Sequence, residues 1–201
     1  MLMHQDEQRL AAVTAAAEKK TGGEIVVVWK DASDSYTNTR AMLAMFLGVI
    51  AAALVFALSR SVGAAACSGV FGAIAGGFGL GSWPGVRRFF TKDSTLQEAV
   101  EERMEQSIYQ HGLDCTKQRN AILIYVSEFE RRVGLWADEG IHQKLGKDQW
   151  ALHQKTIAKG LREGTGVDTI IRVVEILGGL LAQHYPKTAD DKNELPDTPL
   201  K

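Results

Sequence analysis

The sequence lacks any block of lysine and arginine residues. Its 201 residues contain 23 Lys+Arg and 24 Asp+Glu, a formal net charge of -1, and no segment interleaves aromatic with basic side chains. Binding to nucleic acid depends on clustered positive charge that neutralises phosphates. The composition therefore predicts no nucleic-acid partner.

Signatures of common catalytic sites are also lacking. The 5 histidines show no metal-ligand spacing, so a zinc site is not predicted. No Gly-x-x-x-x-Gly-Lys-Ser/Thr phosphate loop occurs. Only 2 cysteines are present. Cys67 lies in an apolar run, whereas Cys115 lies in a polar segment, so we expect two free thiols rather than a disulfide.

Two long apolar runs are present, separated by three residues that include Arg60. The first begins at Ala41 and ends at Leu58, and the second begins at Val62 and ends at Gly81. One continuous helix of about 63 Å would be about twice the ~30 Å hydrocarbon thickness and would place Arg60 near the bilayer centre. Two passes of roughly 27 and 31 Å fit better. The sequence predicts a transmembrane hairpin over residues 40–83 with the lipid bilayer as its partner. Two buried core helices are the alternative.

Small residues recur along the second run, in the segments 72–76 and 77–81. This spacing allows two helices to approach closely. We interpret it as packing against the first run, and self-association of two copies through this glycine-rich helix is the alternative.

Basic residues flank the base of the hairpin. Arg40, Arg87, Arg88 and Lys92 lie on that side, against Arg60 alone at the tip. The positive-inside rule then predicts a multi-pass protein of the cell inner (plasma) membrane with its soluble domain in the cytoplasm.

The segments on either side of the hairpin have the periodicities of helices and strands. Leu10, Val13 and Ala17 recur at helical spacing. The other predicted elements are a buried strand over 24–29, an amphipathic helix ending near His111, paired strands over 121–126 and 133–137, a helix over 148–163, and a helix over 168–185 with Asp168 as its N-cap.

This order of elements predicts an α/β fold. We expect a small mixed β-sheet flanked by helices, an αβα sandwich interrupted by the two-helix hairpin. Residues 1–35 and 91–186 would form this discontinuous domain, and residues 187–201 a disordered tail.

Several short motifs lie in the order found in one known family. They are Thr21-Gly22-Gly23 before the strand over 24–28, Asn120 before the strand over 121–126, Asp138-Glu139-Gly140-Ile141 after the last strand, and the later Trp150. Together, over residues 5–30 and 94–185, they resemble the TPM domain family. The resemblance implies a small sheet flanked by helices, association with membranes or membrane complexes, and, in some members, acid phosphatase activity and calcium binding.

Acidic residues near the predicted strand ends could hold a hard cation. Asp138 and Glu139 would bind Ca²⁺ or Mg²⁺ with further oxygen ligands from Asp114, Asn120 or Glu128. Such a cation could polarise a phosphoryl oxygen and activate water.

Arg119, Arg131 and Arg132 could clamp a phosphate group. Asp138, Glu139 and Arg119 are therefore the catalytic candidates. In the alternative interpretation the two acidic residues begin a helix, and the arginines are solvated or pair with Glu128 and Glu130.

Two functions follow. The first is a membrane-anchored interaction or assembly module that acts on a membrane complex, with a membrane protein as its partner, and that binds a divalent cation for a structural purpose. The second is a membrane-tethered, metal-dependent phosphatase. We favour the first because the sequence shows an anchor but no convergent catalytic set.

Overall fold

The computed structural model describes residues 2–116, 118–145, 147–188 and 195–200. The chain forms two compact units. The first, which we call the α/β unit, comprises residues 1–33 and 97–201. The second, the hairpin unit, comprises residues 34–96.

The α/β unit is built on a three-stranded mixed sheet, which confirms the predicted α/β fold with a small mixed sheet. Its strands are β1 (Glu24–Lys30), β2 (Ala121–Ser127) and β3 (Arg132–Ala137), in the order β1-β2-β3. β1 pairs in parallel with β2, with Ile25 opposite Ile122. β2 pairs with β3 in antiparallel fashion across a short turn.

Helices cover both faces of this sheet, so β1 and β2 are buried along almost their whole length. That burial explains their continuous rather than alternating apolar sequences. One face packs against α1 (His4–Glu18), α6 (Glu139–Leu145), α7 (Lys147–Glu163) and α8 (Gly166–His184). The other face packs against α5 (Asp93–Gln110) through residues such as Val100 and Ile108.

The start of α8 differs from the prediction. The helix begins at Gly166 with Thr165 at the N-cap position, so Asp168 lies in its first turn. Gly164 adopts a left-handed conformation with φ of +78°, which ends α7 and sets the start of α8 two residues early. Asp168 instead pairs with Arg9 of α1.

Part of the tail that we predicted to be disordered is paired with the sheet. Leu200 forms an isolated parallel bridge with Val28 of β1. Pro186, the last residue of the predicted domain, forms an antiparallel bridge with Thr21. Disorder of the segment 187–201 stays a prediction, and at Leu200 the observed bridge differs from it. The remainder of that prediction, over 189–194 and 201, lies outside the described residues.

The hairpin unit contains two helices that are long and apolar enough to cross a membrane, Thr37–Ser59 and Val62–Ser82. The first is α2. The second consists of α3 (Val62–Ile74), a π-helical segment (Ala75–Gly79) and a 3-10 turn (Leu80–Ser82). Arg60 lies between them in a left-handed conformation with φ of 55°. A short helix, α4 (Pro84–Phe90), follows.

Glycines of the second helix lie against the backbone of α2. A Cβ atom added at Gly72 would lie 2.7 Å from the carbonyl oxygen of Leu47, and one at Gly76 would lie 2.5 Å from that of Leu43. This close approach explains the small-residue spacing. These glycines therefore pack against the first helix of the same hairpin. Self-association through this helix stays a prediction.

The outer surface of the hairpin is apolar. Met45 is 70% exposed, Val49 69% and Phe71 73%. In each of the two helices, only 11% of an apolar stretch of 18 residues is buried within the protein. A soluble monomer rarely exposes an apolar surface of this extent.

Candidate functional site

Asp138, the first predicted metal ligand, connects β3 to α6. It is 4% exposed, and its Oδ2 accepts hydrogen bonds from the Ala121 N–H at 3.1 Å and the Thr116 hydroxyl at 3.4 Å. Its carbonyl oxygen accepts from the N–H groups of Ile141 and His142. Asp138 thus stands at the N-terminus of α6 and fixes the start of β2.

Asn120, another predicted ligand, is also buried within the fold. Its side-chain Nδ2 donates to the Gly22 carbonyl at 2.7 Å, and its backbone carbonyl accepts from the Glu24 N–H at 3.2 Å. The residue therefore joins the starting ends of the two parallel strands.

The remaining candidates are exposed, except Asp114, which is half-buried. Glu139 is exposed and accepts a bond from Gln143 Nε2 at 2.8 Å. Asp114 accepts a weak bond from the Cys115 thiol at 3.6 Å. Arg119 is exposed, in a left-handed conformation with φ of 49°. Glu128 is exposed and accepts from the Trp29 indole N–H at 3.4 Å.

These residues are not brought together as a cation site. Within residues 2–116, 118–145, 147–188 and 195–200, no group of three or more His, Cys, Asp or Glu side chains could hold a metal ion. The Ca²⁺ or Mg²⁺ site stays a prediction that this geometry does not support.

A buried polar network lies instead where β1 and β2 end. Ser127 donates a short hydrogen bond to Glu130 Oε2, Ser33 donates to Ser127 Oγ at 2.9 Å, and the Ser33 and Tyr125 hydroxyl oxygens lie 3.0 Å apart. Each hydroxyl carries one hydrogen. The donors therefore run in one direction, from Tyr125 through Ser33 and Ser127 to the Glu130 carboxylate.

Glu130 is the end point of this network. It is 0% exposed, and its second carboxylate oxygen accepts the Ser33 N–H at 3.0 Å. The network ties the residues after β1 to the turn between β2 and β3. Sequence reasoning treated Glu130 only as a partner for arginines, although Ser127 and Glu130, three residues apart across a tight turn, were a usable signal.

Basic side chains lie near this network. Burial, and then the charge of Arg103, lowers the pKa of the Lys30 ammonium group. Burial, and then the charge of Lys30, lowers the pKa of His111. Burial raises the pKa of Tyr125. The positive charges of Lys30 and Arg103, which interact with each other, favour an anion nearby.

Glu18, at the end of α1, forms a second buried acidic site. Its Oε1 accepts the Ile25 N–H at 2.8 Å. Burial, a side-chain hydrogen bond with Asp197 and the charge of Glu24 together raise the pKa of Glu18 to about 9, against the lowering effect of the Ile25 N–H. Glu18 is therefore protonated at neutral pH. No sequence pattern signalled this, because Asp197 meets Glu18 only in the folded chain.

No family model matches the chain, and no curated protein matches it. Among solved structures, the NMR structure of the BA42 protein from the psychrophilic bacterium Bizionia argentinensis is similar, with a TM-score of 0.59 and 20% sequence identity. The match covers 100% of this chain and 95% of that one. At this identity the similarity shows a shared fold and carries no information about function.

Proposed function

We propose that this chain is a membrane-anchored interaction or assembly module, in which a TPM-like α/β unit acts on a membrane complex. The observation that supports this most directly is the apolar outer surface of the hairpin unit. α2 has 23 residues, a length of about 35 Å, which is enough to cross the ~30 Å hydrocarbon layer of a bilayer.

The arrangement of charge supports one orientation. In a two-pass hairpin both ends lie on the same side, which carries Arg40, Arg87, Arg88 and Lys92, while Arg60 is at the turn. By the positive-inside rule the α/β unit lies in the cytoplasm and the turn outside an inner (plasma) membrane.

The described residues favour a binding role over catalysis. Asp138 and Asn120, which had been candidates for metal binding, are engaged in hydrogen bonds that hold the sheet together. No convergent set of acidic ligands is present among them. Their positions suit a rigid scaffold.

A membrane-tethered phosphatase is the second candidate, and the positive charges of Lys30 and Arg103 favour it because such charges stabilise phosphate. Steady hydrolysis of a phosphomonoester by the purified full chain, abolished by Arg103→Ala with the fold retained, would establish this activity. Absence of turnover with and without Ca²⁺ or Mg²⁺ would exclude it for that substrate.

The anchoring is tested by extraction. Membranes that contain the full chain are washed with alkaline carbonate, which removes peripheral proteins. We expect the chain to stay in the membrane pellet and to require detergent for release. A chain that stays monodisperse in plain buffer would rule out the anchor.

The assembly role is tested by the size of the particle that contains the chain. Extracted in mild detergent from the membranes where it naturally occurs, the chain should migrate on native gels in a larger particle than the purified chain in the same detergent. Equal migration of the two samples would contradict an assembly role.

A further inference from the structure

The short helix α4 lies across the base of the hairpin, the end at which the chain enters and leaves it. The second apolar helix ends at Ser82, and Arg40 Nη2 donates to Ser82 Oγ at 3.0 Å just before α4 begins. Where α4 ends, the hydroxyl oxygens of Thr39 and Thr91 lie 3.0 Å apart. Both ends of α4 are therefore held at the same turn of α2, so α4 runs across the hairpin and not along it.

The position of α4 along the chain places it at the level of lipid headgroups. The second apolar helix, Val62–Ser82, has 21 residues, a length of about 32 Å at the rise of an α-helix. That length matches the ~30 Å hydrocarbon layer, and the headgroup region beyond it is about 5–8 Å thick on each side. A helix that follows such a span directly and turns across it therefore lies within the headgroup region of the proposed anchor.

Three aromatic rings of this region are exposed. They belong to Trp83, the N-cap of α4, and to Phe89 and Phe90 at its end, and Phe89 is 83% exposed. Aromatic side chains are enriched at the interface between membrane and water, and interfacial helices carry them together with basic residues. The three rings are therefore suited to the boundary between headgroups and acyl chains.

Contacts within the hairpin unit hold two arginines at the same level. The Cζ atom of Arg87 lies 5.9 Å from the centre of the Tyr36 ring, and the Tyr36 carbonyl accepts the Arg40 N–H at 3.1 Å. Arg40 and Arg87 are both half-buried, so their side chains are held against the protein. A guanidinium group has five N–H donors, and contacts with the protein therefore leave donors for a phosphate group.

Positive charge is in excess over the whole base. Arg88 and Lys92 add to the two arginines, and residues 35–92 contain no acidic residue. Asp34 and Asp93 flank this stretch and balance only part of the charge. Basic clusters beside a membrane span attract anionic lipids, and the planar fork of N–H donors in arginine fits the oxygens of a phosphate group.

We propose that the base of the hairpin binds the headgroup of an anionic phospholipid, with Arg40, Arg87 and Arg88 at the phosphate and with Trp83 and Phe89 among the adjoining acyl chains. The lipid belongs to the leaflet around the base, which is the cytoplasmic one in the proposed orientation. This inference rests on the proposed membrane anchor and names the class of lipid that the anchor recognises.

The two kinds of side chain together favour a phospholipid over other anions. A free phosphate ion would pair with the arginines but would offer no apolar surface to Trp83 and Phe89. A zwitterionic phospholipid would offer acyl chains, but its headgroup carries a cation that the basic residues repel. An anionic phospholipid supplies both the acyl chains and the negative charge.

The test uses the full chain purified in an uncharged detergent. Phosphatidylglycerol and phosphatidylcholine with identical acyl chains are titrated separately, and native mass spectrometry counts the bound lipid and yields its dissociation constant. Glycerol 3-phosphate, which has the phosphate group but no acyl chains, is the soluble competitor.

A pair of double variants separates α4 from charge in general. R87Q/R88Q removes two positive charges from α4, whereas R60Q/R162Q removes two from exposed positions at the turn and on α7 and is the matched control. We expect the original protein and the control to bind phosphatidylglycerol at least fivefold more tightly than phosphatidylcholine. R87Q/R88Q should bind the two lipids with affinities within twofold of each other.

A further variant keeps the test decisive if R87Q/R88Q does not fold, which circular dichroism reports. Phe89→Ser changes a side chain that is 83% exposed and leaves every arginine in place. We expect it to weaken the binding of phosphatidylglycerol at least threefold. Unchanged binding in a folded Phe89→Ser would contradict the placement of this ring among acyl chains.

The proposal is overturned if the original protein binds the two lipids equally, if R87Q/R88Q and R60Q/R162Q lose the preference to the same extent, or if glycerol 3-phosphate displaces the lipid at equal concentration. Loss of the larger native particle in R87Q/R88Q, with no lipid preference in the original protein, would assign the base to a protein partner instead and would equally overturn it.

Failure of this inference is distinct from failure of the anchor. R87Q/R88Q keeps both apolar helices, so it should stay in the membrane pellet after carbonate extraction whether or not the base selects a lipid. Release of the original protein by carbonate would contradict the anchor itself.

Discussion

Buried carboxyl groups connect separate parts of the α/β unit at the scale of single residues. Glu130 receives hydrogen bonds from Ser127 and from the backbone of Ser33, and Asp138 receives them from Ala121 and Thr116. Hydrogen bonds to charged groups are among the stronger ones in proteins. Both acids therefore hold the ends of strands in place.

Loss of the Glu130 carboxylate should lower the stability of the α/β unit. In Glu130→Ala the Ser127 hydroxyl and the Ser33 N–H lose their acceptor inside the protein, and unsatisfied buried groups of this kind cost about 1–3 kcal/mol each. We expect the free energy of unfolding in urea to fall by about 2–4 kcal/mol. Glu139→Ala, at an exposed position, is the control and should change it by less than about 0.5 kcal/mol. Equal effects of the two substitutions would refute the role of the network.

Glu18 makes the stability depend on pH. Its pKa rises from 4.5 in the unfolded chain to about 9 in the folded one, so the folded state holds the proton more tightly. The stability from this group is fully present below pH 4.5 and is lost as the pH rises towards 9. Between these limits, the free energy of unfolding falls with increasing pH.

Glu18→Gln should remove this dependence. Glutamine keeps an oxygen that accepts the Ile25 N–H and cannot ionise beside Asp197. We expect the variant to exceed the original protein in stability at pH 8 by about 1–3 kcal/mol, with a smaller difference at pH 5. Glu163→Gln on the surface of α7 is the control. A constant difference from pH 5 to pH 8 would contradict the raised pKa.

At the scale of elements, the hairpin depends on close contact between its two helices. Gly48 and Gly69 also meet, since a Cβ at Gly48 would lie 3.0 Å from the Gly69 carbonyl oxygen. Ser68 adds a hydrogen bond to the Ala51 carbonyl at 3.2 Å. Van der Waals packing and such bonds hold helices together in lipid, where no hydrophobic force drives their association.

A pair of glycine substitutions tests this packing. Gly72→Ala would place a methyl group 2.7 Å from the Leu47 carbonyl, whereas Gly63→Ala meets nothing within 4 Å. Alanine favours a helix over glycine, so a lower stability of Gly72→Ala than of Gly63→Ala reports the clash. We expect Gly72→Ala to be less stable by about 1–3 kcal/mol, measured by SDS titration in mixed micelles. Similar stability of both variants would show that the helices are not closely packed.

At the scale of the whole molecule, orientation across the membrane is open to a direct measurement. Cys67 and Cys115 are free thiols and are first replaced by alanine. A cysteine at Ser61 should then react with an impermeant maleimide in intact cells, because the proposed orientation places the turn of the hairpin outside. A cysteine at Ser94 should react only after the membrane is opened. The reverse pattern would place the α/β unit outside the cytoplasm.

Local sequence determined the elements of this protein. The two continuous runs rich in β-branched residues form β1 and β2, and the run in which apolar and other residues alternate forms β3. The apolar runs on either side of Arg60 form the two helices of the hairpin unit. These elements follow from local sequence because burial and hydrogen bonding within a segment depend on its own residues. Only the tertiary structure decided which polar groups meet. Asp138 and Asn120 form hydrogen bonds that hold the ends of strands. The buried Glu130 accepts a hydrogen bond from the Ser33 N–H, 97 residues away in sequence, and Leu200 pairs with β1. Contacts between residues so far apart depend on how the sheet is assembled, which no local pattern encodes.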